Sequence, residues 1–506
     1  MISLPKDGHP ADSILQTMRD LRGDDVDWRG GKVWSLVFHP GEDISDFVRE
    51  AYGLYFSENA LNPTAFPSLK TMELEVVEMT ASLLGGDSRT AGNLTTGGTE
   101  SLLMALKGAR EWDKKRRPRA KRHKIVVPTT AHPAFDKAAH YFGLTIVHVP
   151  PRADGRADVK AMERAIDSDT MMLVGSAPQY PHGVVDPIEE LAAIASRRGI
   201  LMHVDACIGG FMLPFVRELG YSVPAFDLSV PGVTSLSVDL HKYGYAAKGA
   251  SVLLYRDAEL RKNMYFATAD WPGGIYVSPT MTGTRPGGAI AAAWAIMHRL
   301  GHDGYLEIAR KVMLAATELR DGVDAIDGLK VVGAPHMSIM AIASDTLDMY
   351  EVGDVLAESG WHLDRQQTPA SLHLTVNHAH ITSAQALLAD LADAASRCQT
   401  PRRARLAKRV RDRAIRTLVG VIPAPITSRL MPIASRVLGV GGSDGVPERS
   451  APMYGLMATL PNRGDLRAMV VDILSDMTQR DSDAPRILAA RPVETRSAAD
   501  VLSTDD

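Results

Sequence analysis

Only two cysteines occur in the 506 residues, Cys207 and Cys398. Two thiols build no disulfide framework, which argues against a small cross-linked secreted domain and favours a reducing, cytoplasmic setting. Long apolar runs are also missing. No stretch of about 18 uncharged apolar residues exists, so no spanning helix is expected. The longest candidate, Thr417 to Thr427, is broken by Pro423 and Pro425. The opening residues, Met1 to Gly8, lack the apolar centre of a signal peptide. Neither sign of charge dominates: 56 Lys and Arg face 60 Asp and Glu, for a formal net charge of -4. That balance gives no global case for nucleic acid. The 16 histidines form no His-Glu-x-x-His pattern and the cysteines no Cys-x-x-Cys pair, so no metal site is expected. A soluble chain remains.

What is present is a large apolar fraction, 45%, and a regular alternation of strand and helix signals. Strands are expected at Lys124–Pro128, Leu144–Val149, Thr170–Gly175, Ile200–Asp205, Ser235–Val238 and Ala250–Tyr255. Helical stretches separate them, the clearest from Pro187 to Arg198 with Ile188, Leu191, Ala192 and Ala195 on one face. Such alternation predicts an α/β fold with a mostly parallel sheet and helices on both faces. A long helix is expected from Asp303 to Gly328. Strands near Lys330 and Met337 and a closing helix from Ser383 to Cys398 then predict a smaller C-terminal α/β domain. The expected organisation is an N-terminal arm (1–60), a large domain (61–310), a small domain (311–400 and 450–480), a basic insertion (401–449) and a polar tail (481–506). Lys107 to Lys124 and Arg402 to Arg416 are locally basic. A solvated helix face accounts for either. The apolar residues after the second also allow peripheral contact with an anionic membrane through 402–438.

Four segments carry chemistry. Asn93 to Ser101 contains Gly97, Gly98 and Thr99 before a helix with Leu102, Leu103 and Leu106. Glycines let the backbone approach a ligand, and a helix start offers free N–H groups to a phosphate. An ordinary helix cap fits those residues equally. His132 follows the strand ending at Pro128, where open α/β sheets place their ligands. It suits stacking on a planar cofactor, or simple solvation. Asp205 closes an apolar strand at the same edge. Lys242, preceded by His241, follows another. An acid that pairs with a pyridinium nitrogen and a lysine that forms a Schiff base are what pyridoxal phosphate needs. Such a lysine must be neutral to attack, and burial is expected to lower its pKa.

At these residues the chain resembles the group II decarboxylase superfamily of fold type I, which uses pyridoxal 5'-phosphate. It is more closely similar to the sphingosine-1-phosphate lyases. The resemblance rests on Thr96–Ser101, Ala131–Gly143, Pro178–Pro187, His203–Phe211, His241–Gly249, Asp270–Tyr276 and Gly283–Gly288. It implies a pyridoxal-phosphate transferase-like fold. It implies Lys242 as the Schiff-base lysine, Asp205 as the pyridinium partner and His132 as the stacking residue. Gly98, Thr99 and His241 would hold the cofactor phosphate, with Gly97 in the same turn. Asn59 and Lys248 match active-site positions, and Arg285 joins Lys248 as a candidate for the substrate phosphate. An intertwined homodimer with shared active sites is implied too.

The expected activity is cleavage of the C2–C3 bond of a phosphorylated sphingoid base to phosphoethanolamine and a fatty aldehyde. Amino-acid decarboxylation on the same machinery is the alternative, as is a cofactor-binding relative with little lyase activity. Departures motivate the alternatives. Phe38 stands where the lyases usually carry a tyrosine, and Ala60-Leu61-Asn62-Pro63 replaces their Pro-Leu-His-Pro.

Overall fold

Short apolar runs separated by helices build the central sheet. The computed structural model describes residues 4–399 and isolated positions between 467 and 478. Two units divide the chain: Met1–Val26 with Leu406–Asp506, and Asp27–Arg405. In the first, helix α1 (Ala11–Leu21), none of whose residues is buried, runs into a short 3-10 turn at Arg22–Asp24. The expected basic insertion, the membrane-contact segment 402–438 and the polar tail lie outside the described residues. So does 450–480, apart from those isolated positions.

The second unit opens with α2 (Glu42–Leu54) and α3 (Pro67–Leu83). Strands and helices then alternate: β1 (Ala91–Thr95), α4 (Gly98–Arg116), β2 (Lys124–Pro128), α5 (Ala134–Phe142), β3 (Thr145–Val149), α6 (Val159–Arg164) and β4 (Thr170–Ser176). After these come α7 (Ile188–Arg198), β5 (Leu201–Asp205), α8 (Leu213–Glu218), β6 (Ser235–Asp239) and β7 (Ser251–Tyr255). Together the strands make a seven-stranded sheet in the order β1-β7-β6-β5-β4-β2-β3. Period-two alternation assigns the faces. Ile125 and Val127 pack with Leu106 of α4 and Phe135 of α5 on one side. Val126 and Leu173 pack with Leu191 of α7 on the other. Each fully buried Leu or Phe contributes about 1.5–3 kcal/mol.

β7 runs antiparallel to both of its neighbours, and the remaining pairs are parallel. Because β7 reverses, β1 runs in the direction of β6 again. The C-terminal ends of β1, β2, β4, β5 and β6 therefore share one edge, where ligands collect in open α/β sheets. β1 was not among the expected strands. Its Gly92 and Asn93 are poor strand formers, and pairing with β7 overrides that preference.

Beyond α9 (Ala258–Lys262) comes a hairpin of β8 (Phe266–Trp271) and β9 (Gly274–Ser278). Helix α10 (Gly287–Ala325) is kinked at Gly301, where φ is 57°. The helix expected from Asp303 is its second half. A four-stranded antiparallel sheet then forms from β10 (Lys330–Val331), β11 (Ile339–Ala343), β12 (Asp364–Gln367) and β13 (Ala370–Thr375). Its order is β10-β11-β13-β12; α11 (Met349–Glu358) packs on β13, and α12 (Ala384–Arg397) packs on α10 and α11. The expected α/β class, with a mostly parallel large sheet and a smaller C-terminal layer, is what the chain adopts. Among the described residues, no helix is long and apolar enough to cross a membrane.

Candidate active site

The shared strand edge opens into a cavity of about 490 Å³. Ser176, Asp205 and Asp239 line it, and they are the last residues of β4, β5 and β6. Register explains the grouping: Ser176 pairs with Asp205, and Asp205 with Ser237. Thr96 to Glu100, after β1, and His132, after β2, complete the rim with His241, Lys242 and Lys248.

Asp205 is held by its own turn. Its Oδ1 accepts from Cys207 N at 3.1 Å and from Ser237 Oγ at 3.5 Å. Behind it, fully buried His203 contacts Ser235 Oγ at 2.8 Å through Nδ1. Burial depresses the His203 pKa to about 4, although Asp205 pulls the other way, so this imidazole stays neutral.

Lys242 was expected to be made neutral by burial, and the structure reverses that direction. Its Nζ lies 2.9 Å from Oδ2 of Asp239, a residue that is 2% exposed. Burial lowers the ammonium's pKa, but the Asp239 carboxylate opposes it and the net pKa is raised. Burial likewise pushes Asp239 up, while Lys242 and His241 outweigh it and hold the acid below its ordinary value. Glycine makes room for the pair. A Cβ on Gly98 would stand 2.7 Å from Asp239 Oδ2 and 3.0 Å from Cys207 Sγ.

The start of α4 carries no side-chain cap at Gly97. Glu100 bends back instead. Its Oε2 accepts from Thr96 N at 2.6 Å and Thr96 Oγ1 at 2.7 Å, while Oε1 accepts from Met281 N at 2.8 Å. The Gly97-Gly98-Thr99 turn, which lines the cavity, is thereby pinned at both ends of the Glu100 carboxylate. His241 stands 3.6 Å from where a Gly97 Cβ would be. Burial lowers the His241 pKa against the pull of Asp239. His132 faces the cavity and keeps solvent access there. Its Nδ1 accepts from Ala134 N at 3.2 Å, which leaves the proton on Nε2. The surrounding protein lowers its pKa, against Asp205.

Lys248 lines the same cavity. Its Nζ donates to Leu36 O at 3.1 Å and His241 O at 3.3 Å, and lies 5.4 Å from the centre of the Phe38 ring. Burial and the charge of Lys242 depress its pKa to about 8, against Asp239. Phe38 packs edge-on against Tyr243 at 5.0 Å. Arg285 does not reach this cavity. It is 5% exposed and committed to Glu73, with one contact at 3.0 Å and another to Leu94 O at 3.1 Å. Buried and absent from the cavity lining, the Arg285 guanidinium is out of reach of a substrate phosphate there, contrary to that expectation. Asn59 also stays outside the lining. Its Oδ1 accepts from Leu61 N at 3.2 Å, within its own turn.

Sequence reasoning assigned no task to Asp239, Glu100 or Tyr180. Asp239 ends an apolar strand just as Asp205 does, and that signal was available. Tyr180 lines the cavity, donates to Asp364 Oδ2 at 2.6 Å and stacks on His373 at 4.0 Å. Both partners are remote in sequence, so no local pattern announces the contact.

The donors present suit pyridoxal phosphate. Ser176 Oγ, Asp239 Oδ1 and His241 Nδ1 are buried polar atoms without a partner in the protein, and all three residues line the cavity. Such atoms are costly unless a polar ligand meets them. Uncapped helix N–H groups fit a phosphate, a buried carboxylate fits a basic ring nitrogen, and an amine fits an aldehyde. Among the described residues, no group of three or more metal-binding side chains is assembled.

Comparison with known proteins agrees. The pyridoxal-dependent decarboxylase conserved domain matches residues 3–342. Sphingosine-1-phosphate lyase of Oryza sativa is 38% identical over 92% of this chain and 80% of its own. Sphingosine-1-phosphate lyase 1 of Rattus norvegicus is 42% identical over 75% of this chain and 66% of its own. The solved structure of the Burkholderia pseudomallei sphingosine-1-phosphate lyase superposes with a TM-score of 0.77 at 39% identity, covering 81% of this chain and 96% of that one. A glutamate decarboxylase of Lactobacillus brevis, at 20% identity and a TM-score of 0.69 over 79% of this chain and 96% of its own, shares the fold. The cavity at the sheet edge and these likenesses lead to one statement: the chain belongs to the pyridoxal-dependent decarboxylase family and, within it, to the sphingosine-1-phosphate lyases.

Proposed function

We propose that this protein cleaves the C2–C3 bond of a phosphorylated sphingoid base, yielding phosphoethanolamine and a fatty aldehyde. The observation that carries the reading is the convergence of Lys242, Asp205 and the uncapped start of α4 on one cavity. Lys242 would hold pyridoxal phosphate, whose chemistry when bound is that of an electron sink for the pair left on C2.

The chain's own residues do the rest. Asp205, held by Cys207 N, keeps the ring nitrogen protonated, because opposite charges at short range favour both ionised forms. Gly97, Gly98 and Thr99 would offer backbone N–H groups to the cofactor phosphate, and His241 would add a ring nitrogen. His132 would stack on the ring. The Lys248 ammonium takes the substrate phosphate, a charge-assisted contact. Orientation then selects the reaction, because the bond aligned with the ring's π system breaks.

A homodimer with shared active sites is part of the proposal. Ile275 and Trp271 of the β8–β9 hairpin are 79% and 56% exposed, and Phe56 is 79% exposed. Exposed apolar side chains grouped on one hairpin suit an interaction site. A cytoplasmic location, with peripheral membrane contact through 402–438, completes the reading.

Purified protein loaded with pyridoxal phosphate and given phosphorylated sphingoid bases should release aldehyde and phosphoethanolamine, read by mass spectrometry. Carbon dioxide from an amino acid, with no aldehyde from the lipid, overturns the proposal.

A further inference from the structure

Asp239 is a buried acid of the cavity lining that the proposed chemistry leaves without a task. It closes β6 and is 2% exposed. Oδ2 lies 2.9 Å from Lys242 Nζ and 3.8 Å from His241 Nε2, and Oδ1 has no partner. Gly98 is the neighbour that leaves it space. An ionised carboxylate persists in such a place only beside a compensating charge.

We propose that Asp239 is the positioning residue of Lys242: its carboxylate anchors the lysine nitrogen and keeps it cationic both before and after the lysine bonds to the cofactor aldehyde. The inference rests on Lys242 being the cofactor-bonding lysine. Charge bookkeeping supports it. The ammonium passes a proton to the carbonyl oxygen as its freed pair attacks the aldehyde carbon. That oxygen then takes a second N–H proton and leaves as water, and the new C=N nitrogen keeps the third. In balance, R–NH3+ and O=CH–R' give R–NH+=CH–R' and H2O. One positive charge enters and one remains, so Asp239 faces a cation before the bond forms and after it.

Other groups surround the pair. His241 shares its turn, Asp205 and Cys207 approach from β5, and Ser251 from β7. Lys248 adds a positive charge, and His132 faces Lys242 from beyond β2. Burial keeps the Cys207 thiol neutral by raising its pKa. Among the described residues, Asp239 is the carboxylate in ion-pair contact with Lys242. Coulomb attraction falls with distance, so that contact dominates.

Visible absorbance of the holoenzyme across a pH series tests this. In Asp239→Asn the band of the protonated C=N form should be lost about one to three pH units lower than in the wild type. Asp239→Glu should restore most of the shift. An unchanged titration in Asp239→Asn overturns the inference. Lys242→Ala keeps the two claims apart: a band retained there overturns the assignment of Lys242 itself. If Asp239→Asn does not fold, competitive acylation of the full-length apo wild type decides, with peptide mass spectrometry reading Lys242. That amine should titrate above a free lysine side chain, about 10.4. Titration at or below that value overturns the inference.

Discussion

Lys242 and Lys248 line one cavity, and their pKa values move in opposite directions. Burial weighs against the charge of both. Lys242 touches the Asp239 carboxylate at 2.9 Å and is driven up. Lys248 touches two backbone carbonyls and is driven down to about 8. A carbonyl dipole does not replace a full opposite charge. Desolvation therefore acts on both lysines, and a carboxylate in contact decides which way the balance falls.

The most severe way to break the comparison is to delete one member. Lys242→Ala should abolish the bound cofactor's visible band and lower aldehyde release by ~10³–10⁶-fold. Retention of either signal removes Lys242 from its role. The second member is tested by pH. Lys248 is cationic below about 8 and neutral above it. If its ammonium binds the substrate phosphate, kcat/KM should fall as pH rises through that value. Lys248→Arg, which stays charged, should remove the falling limb. Lys248→Met should cost roughly tenfold to a hundredfold in kcat/KM. A wild-type profile without that limb removes the ammonium from binding.

Glu100 offers a control, since its carboxylate serves backbone N–H groups and not an ammonium. Glu100→Gln should cost about 1–3 kcal/mol in urea unfolding and weaken cofactor affinity. An unchanged midpoint and affinity would show that the turn holds without it. The smallest change is Phe38→Tyr, beside Lys248. A new hydroxyl there should raise aldehyde release by about twofold to tenfold, the value of one hydrogen bond. No change would assign the family tyrosine's work to another residue.

Much of the fold was legible because its signals are local. Lys124–Pro128 forms a strand over the expected residues, and the runs ending at Val149, Asp205 and Tyr255 each begin one residue late. β1 was not legible, since Gly92 and Asn93 form a strand through pairing with β7. At the site, His132, Asp205, His241, Lys242, Lys248 and the Gly97–Thr99 turn line one cavity. Arg285 does not, because Glu73 lies far away in sequence and close in space. The Tyr180–Asp364 contact escaped notice for the same reason.

Sequence by itself determined the α/β class, the strand ends that carry functional groups, and the cofactor those groups suit. Alternation, helix starts and residue chemistry are properties of short segments, readable without coordinates. Only the tertiary structure decided the charge on each group. It set Asp239 against Lys242, left Lys248 with carbonyls and the Phe38 ring but no carboxylate in contact, and withdrew Arg285 into a pair with Glu73. Electrostatic energy depends on distance and burial, and both arise only once remote segments meet.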